Sequence, residues 1–186
     1  MQTKGKDSEK DKAKGKRWRK ELREWLVSIA MAVGIALLIQ NYAFAQAEVR
    51  QSSMSGTLEE GHRLVEDKLS YIFSEPRRGD IVIIDGPESD VRLIKRLIAL
   101  PGDTVDIREG AVYLNGTRLE EPYAKGQTFP VGLEVPFTVQ EHQVFVLGDN
   151  RENSTDSRQL GTISYDSLEG KAVFRVWPLQ KFGEIR

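Results

Sequence analysis

The sequence contains no cysteine and only two histidines, His62 and His142. Without cysteine the chain can form no disulfide bond, no cysteine nucleophile and no zinc site built on thiolates. A Ser-His-Asp catalytic triad would have to use one of the two histidines, and both stand in polar, turn-like surroundings. We therefore expect both histidines at the surface, and we expect no metal ion and no other cofactor.

The sequence also has only one long apolar run, residues 25–45. These 21 residues include no charged side chain. As a helix the run would be about 31 Å long, close to the roughly 30 Å hydrocarbon thickness of a bilayer. We predict a transmembrane anchor here. The alternative is a secretory signal that is cleaved near Ala43-Phe44-Ala45, and either one exports the rest of the chain.

The net charge of −1 hides an uneven distribution. Residues 1–24 hold ten lysines and arginines and five acids, a net +5, which leaves −6 on the remainder. A nucleic-acid-binding module would carry its positive charge on the folded part, so we expect no nucleic acid partner. Residues 1–24 have too few apolar side chains to bury a core, and we predict a disordered tail. Its basic character places the tail in the cytoplasm and residues 46–186 outside the cell membrane.

Residues 46–186 consist of short apolar runs separated by glycine, proline and asparagine turns. Ile81-Val82-Ile83-Ile84 is typical of a strand buried on both faces, and Asn115-Gly116 fits the tight turn of a β-hairpin. Residues 63–73 form a partly alternating run, and a short helix is predicted near residues 165–169. The spacing predicts an all-β domain, a mixed β sandwich or barrel, that follows one N-terminal transmembrane helix. We expect an extracytoplasmic domain and a monomer.

One lysine stands inside an apolar run, at Lys95 in Leu93-Ile94-Lys95-Arg96-Leu97-Ile98. Burial lowers the pKa of a lysine because an ammonium group is costly to desolvate, and a neutral amine can take a proton from a serine hydroxyl. The hydroxyl-rich run Gln51-Ser52-Ser53-Met54-Ser55 could supply that hydroxyl. The alternative is a lysine at a sheet edge whose amine reaches the solvent.

Residues 148–161 form a polar run with almost no apolar side chain, directly after a core-like strand. A solvated loop is the simplest interpretation. A calcium-binding loop is excluded, because Arg151 stands where an oxygen ligand would be needed. We expect four charged side chains of the run to pair with one another and to orient Ser154. These are Asp149, Arg151, Asp156 and Arg158.

The three segments together resemble the bacterial type I signal peptidases, which use a serine nucleophile and a lysine base. That family carries Ser-Met-x-Pro-Thr-Leu after a membrane segment, then Lys-Arg followed by Leu-Pro-Gly-Asp, then Gly-Asp-Asn-Arg-x-x-Ser-x-Asp-Ser-Arg. The resemblance covers residues 25–177 with every block in order. The blocks here are Ser53-Met54-Ser55-Gly56-Thr57-Leu58, Lys95-Arg96, Leu100-Pro101-Gly102-Asp103, Gly148 to Arg158, and the further segment Arg78-Gly79-Asp80-Ile81-Val82.

The resemblance implies that Ser53 is the nucleophile and Lys95 the general base. The backbone N–H of Ser53 would donate to the oxyanion, as such donors do in acyl transfer. Ser154 would orient the amine of Lys95, and Asp156 and Arg158 would support it.

Further residues would shape the substrate site. Met54 would pack near the nucleophile, and Val49 and Ile94 would line small pockets for the residues at −1 and −3 of the cleavage site. The substrate would bind as an extended strand along a sheet edge. Two positions depart from the family. Gly56 replaces a proline, so that Gly56→Pro is expected to be tolerated, and Gln51 stands where relatives often supply an oxyanion donor.

The resemblance implies a membrane-bound serine endopeptidase that removes signal peptides from exported preproteins after small residues, at Ala-x-Ala sites. Its partners would be preprotein signal peptides and the lipid bilayer. A self-cleaving Ser/Lys protease of the repressor type is a second hypothesis, against which the apolar segment argues. A third is an inactive membrane-anchored β domain that only binds preproteins or a partner, which Gly56 alone favours.

Overall fold

The computed structural model describes residues 4–86 and 92–185, which divide into two compact units between Tyr42 and Ala43. The first unit is helical, since helix α1 runs over Lys4–Ala43. Helix α1 thus includes residues 4–24, where the sequence predicts a disordered tail. Lysine, glutamate, arginine and alanine all have high helix propensity, so that a segment with few apolar residues can still be helical.

Over residues 4–86 and 92–185, none of the helices is both long enough and apolar enough to cross a membrane. The transmembrane anchor therefore stays a prediction.

The second unit is mostly β, as predicted. Its elements follow in chain order: β1 Phe44–Glu48, β2 Arg63–Asp67, α2 Ser70–Phe73, β3 Ile81–Ile84, β4 Leu93–Ala99, β5 Thr104–Arg108, β6 Ala111–Leu114, β7 Thr117–Arg118, β8 Phe137–Thr138, β9 Gln143–Leu147, α3 Ser157–Leu160, β10 Ile163–Ser164, β11 Leu168–Trp177 and β12 Gly183–Glu184, with 3₁₀ turns at Ser52–Met54, Tyr165–Ser167 and Leu179–Lys181.

These strands form two sheets in which every pair of named strands is antiparallel. The larger sheet has the order β1-β2-β11-β3-β4-β9-β10, with β12 paired to β11, and the smaller has the order β7-β6-β5-β8. Strands β3 and β4 therefore lie in the middle of the larger sheet, while β1 lies at one end of it.

The apolar run of β3 is continuous because both of its faces are covered. Ile81 and Ile83 belong to a core cluster that also contains Met54. Val82 and Ile84 belong to a second cluster on the other face. Successive side chains of a strand point to opposite faces, so apolar residues are favoured at every position of β3.

The partly alternating run at residues 63–73 divides into β2 and α2. Strand β2 ends at Asp67, whose carboxylate accepts hydrogen bonds from the amides of Leu69 and Ser70 at the start of α2. The helix expected near residues 165–169 is only the 3₁₀ turn Tyr165–Ser167, which leads into β11. The Asn115-Gly116 turn is confirmed, since both residues have positive φ between β6 and β7.

The histidines behave differently from each other. His142 is exposed, as expected, but His62 is buried, with only 5% of its surface exposed. Its Nδ1 accepts a hydrogen bond from the amide of Glu59. Burial, followed by the charges of Arg175 and Lys181, holds the pKa of His62 below its ordinary value. The surface prediction for His62 is wrong, and the charges of β11 and of the following 3₁₀ turn that act on it cannot be read from its local sequence.

Candidate active site

Ser53 lies in the middle of the 3₁₀ turn Ser52–Met54, and this turn directly follows Gln51, whose backbone is extended. Met54 and Leu58 are buried in the core cluster beneath the turn. The amides of Thr57 and Leu58 both donate to the carbonyl of Met54. The turn is therefore fixed from below by apolar side chains and from within by its own backbone. Met54 packs beside the candidate nucleophile, as the sequence predicts.

Lys95 reaches this turn from β4. Its Nζ lies 2.7 Å from Ser53 Oγ, and its side chain is almost wholly buried, with 1% of the residue exposed. The alternative of a lysine at a sheet edge is wrong, because β4 is flanked by β3 and β9. The structure thus brings together two predicted residues that stand 42 positions apart in the sequence.

Burial is the main reason that the pKa of Lys95 falls from 10.5 to about 8. The carboxylate of Asp156 opposes this shift, and the guanidinium of Arg158 adds to it. With this pKa, roughly a tenth of the amine is neutral at pH 7, far more than for an ordinary lysine. The contact can therefore work as a proton-transfer pair, in which the amine accepts the hydroxyl proton of Ser53.

Asp156 and Arg158 form an ion pair near Ser53 and Lys95, as the sequence predicts. Arg158 Nε lies 2.8 Å from Asp156 Oδ1, and Arg158 Nη2 lies 2.9 Å from Oδ2. Both residues are buried, and the carboxylate of Asp156 also accepts a hydrogen bond from the amide of Gly148. The same carboxylate caps the first turn of α3. The pair therefore anchors the polar run at both of its ends.

The other two charges of the run pair differently from the prediction. Asp149 binds Arg96 of β4 through two hydrogen bonds of 2.8 Å, and it accepts a third from Thr57 Oγ1 at 2.6 Å. Arg151 binds Glu121 instead of an aspartate of the run. The error has a physical cause: Arg96 and Leu147 are partners across β4 and β9, so that Asp149, two residues further on, falls beside Arg96.

Ser154 is placed close to the nucleophile, but the expected hydrogen bond to Lys95 is not formed. Its Oγ is buried and has no hydrogen-bond partner among the described residues. A Cβ added to Gly148 would lie 2.2 Å from Ser154 Oγ and 2.5 Å from the carbonyl oxygen of Ser53. Any residue other than glycine at position 148 would therefore separate the polar run from the nucleophile turn.

The polar run also holds the backbone of the nucleophile turn, which sequence reasoning missed. The amide of Asn150 donates to the carbonyl of Ser53 at 3.0 Å, and its side chain donates to the carbonyl of Ser52 at 3.1 Å. Asn153 donates to Ser52 Oγ at 2.9 Å. Arg96 was likewise not singled out, although a second cation beside Lys95 in an apolar strand is a usable signal. The structure makes Arg96 the partner of Asp149.

A cleft of about 640 Å³ leads away from Ser53. Val49 and Ile94 both line it, together with Met54, so the structure brings the predicted pocket residues to one site. The remaining lining residues are Gln46, Ala47, Glu48, Arg50, Gln51, Arg63, Ile83 and Arg92. Strand β1 lies at the end of the sheet, and its unpaired edge offers backbone groups to an extended peptide.

Within the described residues, no hydrogen bond engages the backbone N–H of Ser53, so that this donor is available to a ligand. Gln51 is exposed and lines the cleft, which keeps its amide within the site region. No group of three or more histidine, aspartate or glutamate side chains that could hold a metal ion occurs among residues 4–86 and 92–185.

Gly56 adopts a φ of +108°. Proline is locked near −65° and has no N–H, whereas the amide of Gly56 donates to Glu59 Oε1 at 3.0 Å. The expectation that Gly56→Pro is tolerated is therefore not supported by the turn as it stands here. Glycine at this position leaves the contact between Ser53 and Lys95 intact, so Gly56 gives no reason to infer an inactive domain.

Comparisons with known proteins agree on one family. A family model described as "Signal peptidase, peptidase S26" matches residues 22–177. "Signal peptidase I" of Bacillus licheniformis is 41% identical over 177 residues, which cover 90% of this chain and 94% of that protein. "Signal peptidase I T" of Bacillus subtilis (strain 168) is 40% identical over 172 residues, 88% of each chain.

Among solved structures, a signal peptidase I from Enterococcus faecalis V583 is 38% identical. The match covers 53% of this chain and 97% of that one, with a TM-score of 0.47.

Proposed function

We propose that this chain, which belongs to the signal peptidase family (peptidase S26) and is a serine peptidase, removes signal peptides from preproteins with Ser53 as nucleophile and Lys95 as general base. The observation that carries the proposal is the 2.7 Å contact between Lys95 Nζ and Ser53 Oγ at the end of the cleft. A binding module would need neither a buried lysine nor its contact with a hydroxyl.

In the first half of the proposed reaction, the neutral amine of Lys95 takes the proton of Ser53 as Oγ attacks the scissile carbonyl carbon. The backbone N–H of Ser53 donates to the developing oxyanion, with the amide of Gln51 as a candidate second donor. As the C–N bond breaks, the ammonium of Lys95 gives its proton to the leaving amine, and the signal peptide stays attached to Ser53 as an ester.

In the second half, a water molecule attacks the ester carbonyl, and Lys95 accepts a proton from that water. The C–O bond to Ser53 then breaks, Ser53 Oγ takes a proton from the ammonium of Lys95, and the signal peptide leaves with a free carboxylate. The ion pair of Asp156 and Arg158 sets the position of the polar run beside Lys95, and Ser154 completes the wall of the site. Ser154 would orient the amine once substrate tightens the site.

The cleft supports cleavage after small residues. An extended peptide along the free edge of β1 would place alternate side chains toward Val49 and Ile94, whose apolar walls favour alanine at −1 and −3. This is the pattern of an Ala-x-Ala site. The opposite side of the peptide would face the charged residues of the cleft rim, Glu48, Arg50 and Arg63.

We further propose that residues 25–45 anchor the enzyme in the cell membrane, with the N-terminus in the cytoplasm and the β unit outside, where it acts as a monomer. The support comes from the sequence, which has no charge over these residues, and from α1, where large apolar side chains are exposed on all sides. These are Trp25, Leu26, Val27, Ile29, Met31, Val33, Ile35 and Leu37.

The test is cleavage of a preprotein with an Ala-x-Ala site by the full chain in detergent. Ser53→Ala and Lys95→Ala should each reduce cleavage by at least about 10³-fold while circular dichroism shows an unchanged fold, since loss of either member removes nucleophilic catalysis. Ser55→Ala, on the same loop, is the matched control and should keep wild-type activity. Cleavage that survives Lys95→Ala would disprove the role of the lysine.

A further inference from the structure

A buried ion pair joins the polar run to a segment that has no part in the proposed chemistry. Arg151 contacts Glu121 through Nη1 at 3.0 Å and through Nη2 at 2.5 Å. The side chain of Arg151 is wholly buried, and that of Glu121 is 8% exposed. Arg151 also donates to Thr128 Oγ1 at 2.6 Å and, through Nε, to the carbonyl of Gly148 at 3.0 Å.

Backbone hydrogen bonds bring the same two segments together. The amide of Lys125 donates to the carbonyl of Asp149 at 2.7 Å, and the amide of Arg151 donates to the carbonyl of Lys125 at 2.9 Å. The amide of Thr128 donates to the carbonyl of Gly110 at 2.9 Å, in the turn between β5 and β6. Residues 121–128 thus link the smaller sheet to the polar run.

The link ends at the candidate nucleophile. Gly148 and Asn150 stand on either side of Asp149, and Asn150 donates its amide to the carbonyl of Ser53. Gly148 approaches that same carbonyl closely, since an added Cβ would lie 2.5 Å from its oxygen. Tyr123 adds a second connection, because its ring stacks 3.9 Å from the guanidinium of Arg96 while its hydroxyl donates to Glu121.

We propose that Glu121 is a positioning residue for the peptidase reaction, which acts through Arg151 and Asn150 to fix Ser53 in front of Lys95. The expected effect on the rate rests on the proposed function, whereas the structural role of Glu121 does not. A guanidinium that is buried without its carboxylate must move toward solvent or take a new partner. Since Arg151 also holds Gly148, such a movement would release the hydrogen bond from Asn150 to Ser53.

The substitution that tests this is Glu121→Gln in the full chain, with Glu120→Gln as the matched control, because Glu120 is the exposed neighbour. A displacement of the nucleophile by about 1 Å costs roughly 10²-fold in rate. We therefore expect kcat per folded molecule to fall by about 10- to 100-fold in Glu121→Gln, with KM and the pH midpoint unchanged. Glu120→Gln should match the wild type.

Amide hydrogen exchange provides a readout that does not depend on activity. The proposal predicts that exchange at Asn150 becomes at least about tenfold faster in Glu121→Gln relative to the amides of β3, and that Glu120→Gln leaves it unchanged. A loss of kcat that disappears after correction for the folded fraction would overturn the proposal, because it would show a role in stability alone. So would unchanged exchange at Asn150.

Two further results keep the conclusion decisive. If Glu121→Gln fails to fold, Thr128→Val is the second variant, because it removes one hydrogen bond of Arg151 and leaves the carboxylate of Glu121 in place. It should lower kcat and speed exchange at Asn150, but by less than Glu121→Gln. Wild-type values for both quantities would overturn the proposal. If the wild-type protein cleaves no preprotein, the proposed function fails, and the exchange at Asn150 alone still decides whether Glu121 positions Ser53.

Discussion

Gly56→Pro should inactivate the enzyme, although the signal peptidase pattern described above has proline at this position. Gly56 has φ +108°, which proline cannot adopt, and the substitution also removes the hydrogen bond from its amide to Glu59. The turn must therefore refold locally. Because Thr57 binds Asp149 and Leu58 is buried, a shift of this turn displaces Ser53 from Lys95.

The size of the effect of Gly56→Pro follows from a comparison with Gly56→Ala. Gly56→Ala keeps the N–H and meets no atom closer than 4.0 Å, so that only the strain of a positive φ remains, about 1–3 kcal/mol. For a chain of this size that corresponds to a decrease in Tm of roughly 2–12 °C. Gly56→Pro adds the lost hydrogen bond, roughly 0.5–1.5 kcal/mol, and a backbone rearrangement. We expect Gly56→Ala to retain measurable cleavage and Gly56→Pro to lose at least about 10²-fold in kcat.

Gly132→Ala is the matched control for strain. Gly132 has φ +91° and nothing within 4 Å of an added Cβ, and it is not part of the candidate site. Its substitution should lower Tm by a similar amount to Gly56→Ala, in a thermal melt, without changing kcat. A Gly56→Pro enzyme with the kcat and Tm of the wild type would refute this reasoning.

The other predictions concern the supporting charges and the cleft. Asp149→Ala removes the buried carboxylate that pairs with Arg96 and should lower the free energy of unfolding by about 3–5 kcal/mol in urea titration; a change below about 1 kcal/mol would contradict this. Lys95→Met removes the cost of a buried ammonium and should raise the free energy of unfolding by up to about 3 kcal/mol below pH 8. This difference from the wild type should disappear as the pH rises toward 10.5, because the lysine is then neutral in both states. A difference in unfolding free energy that grows with pH would contradict the prediction. Ile94→Ala should widen the cleft and increase the relative kcat/KM for a substrate with valine at −1 or −3, and an unchanged preference would remove Ile94 from the pocket. EDTA should leave cleavage unchanged, and its inhibition would contradict a Ser/Lys mechanism.

The features that could be predicted from the sequence are those with a local cause. The apolar run of β3 requires a strand covered on both faces, whatever its neighbours are. Asn115-Gly116 determines its hairpin because both residues accept positive φ. Lys95 could be singled out because a lysine among apolar residues must be either buried or at an edge, whereas the choice of Ser53 as its partner came from the resemblance to the signal peptidases.

The features that could not be predicted depend on which segments meet in space. Asp149 pairs with Arg96 because of the register between β4 and β9, and no local pattern contains that register. The partner of Arg151, Glu121, comes from a loop-rich segment without periodicity. His62 was expected at the surface, but it is buried, and its pKa is lowered by burial and by two cations that lie far from it in the sequence, Arg175 and Lys181. The φ of Gly56 could not be read from the sequence either, because glycine is compatible with both signs of φ.

The most direct test of the Ser53–Lys95 dyad is the pH dependence of kcat/KM for a preprotein with an Ala-x-Ala site. In the proposed mechanism the neutral amine is the active form of Lys95, and burial lowers the pKa of Lys95 to about 8. We therefore predict that kcat/KM rises about tenfold per pH unit below pH 8 and levels off above it, with the folded fraction constant over the range. A profile that is flat between pH 6 and pH 9, or that falls with rising pH, would contradict a lysine base.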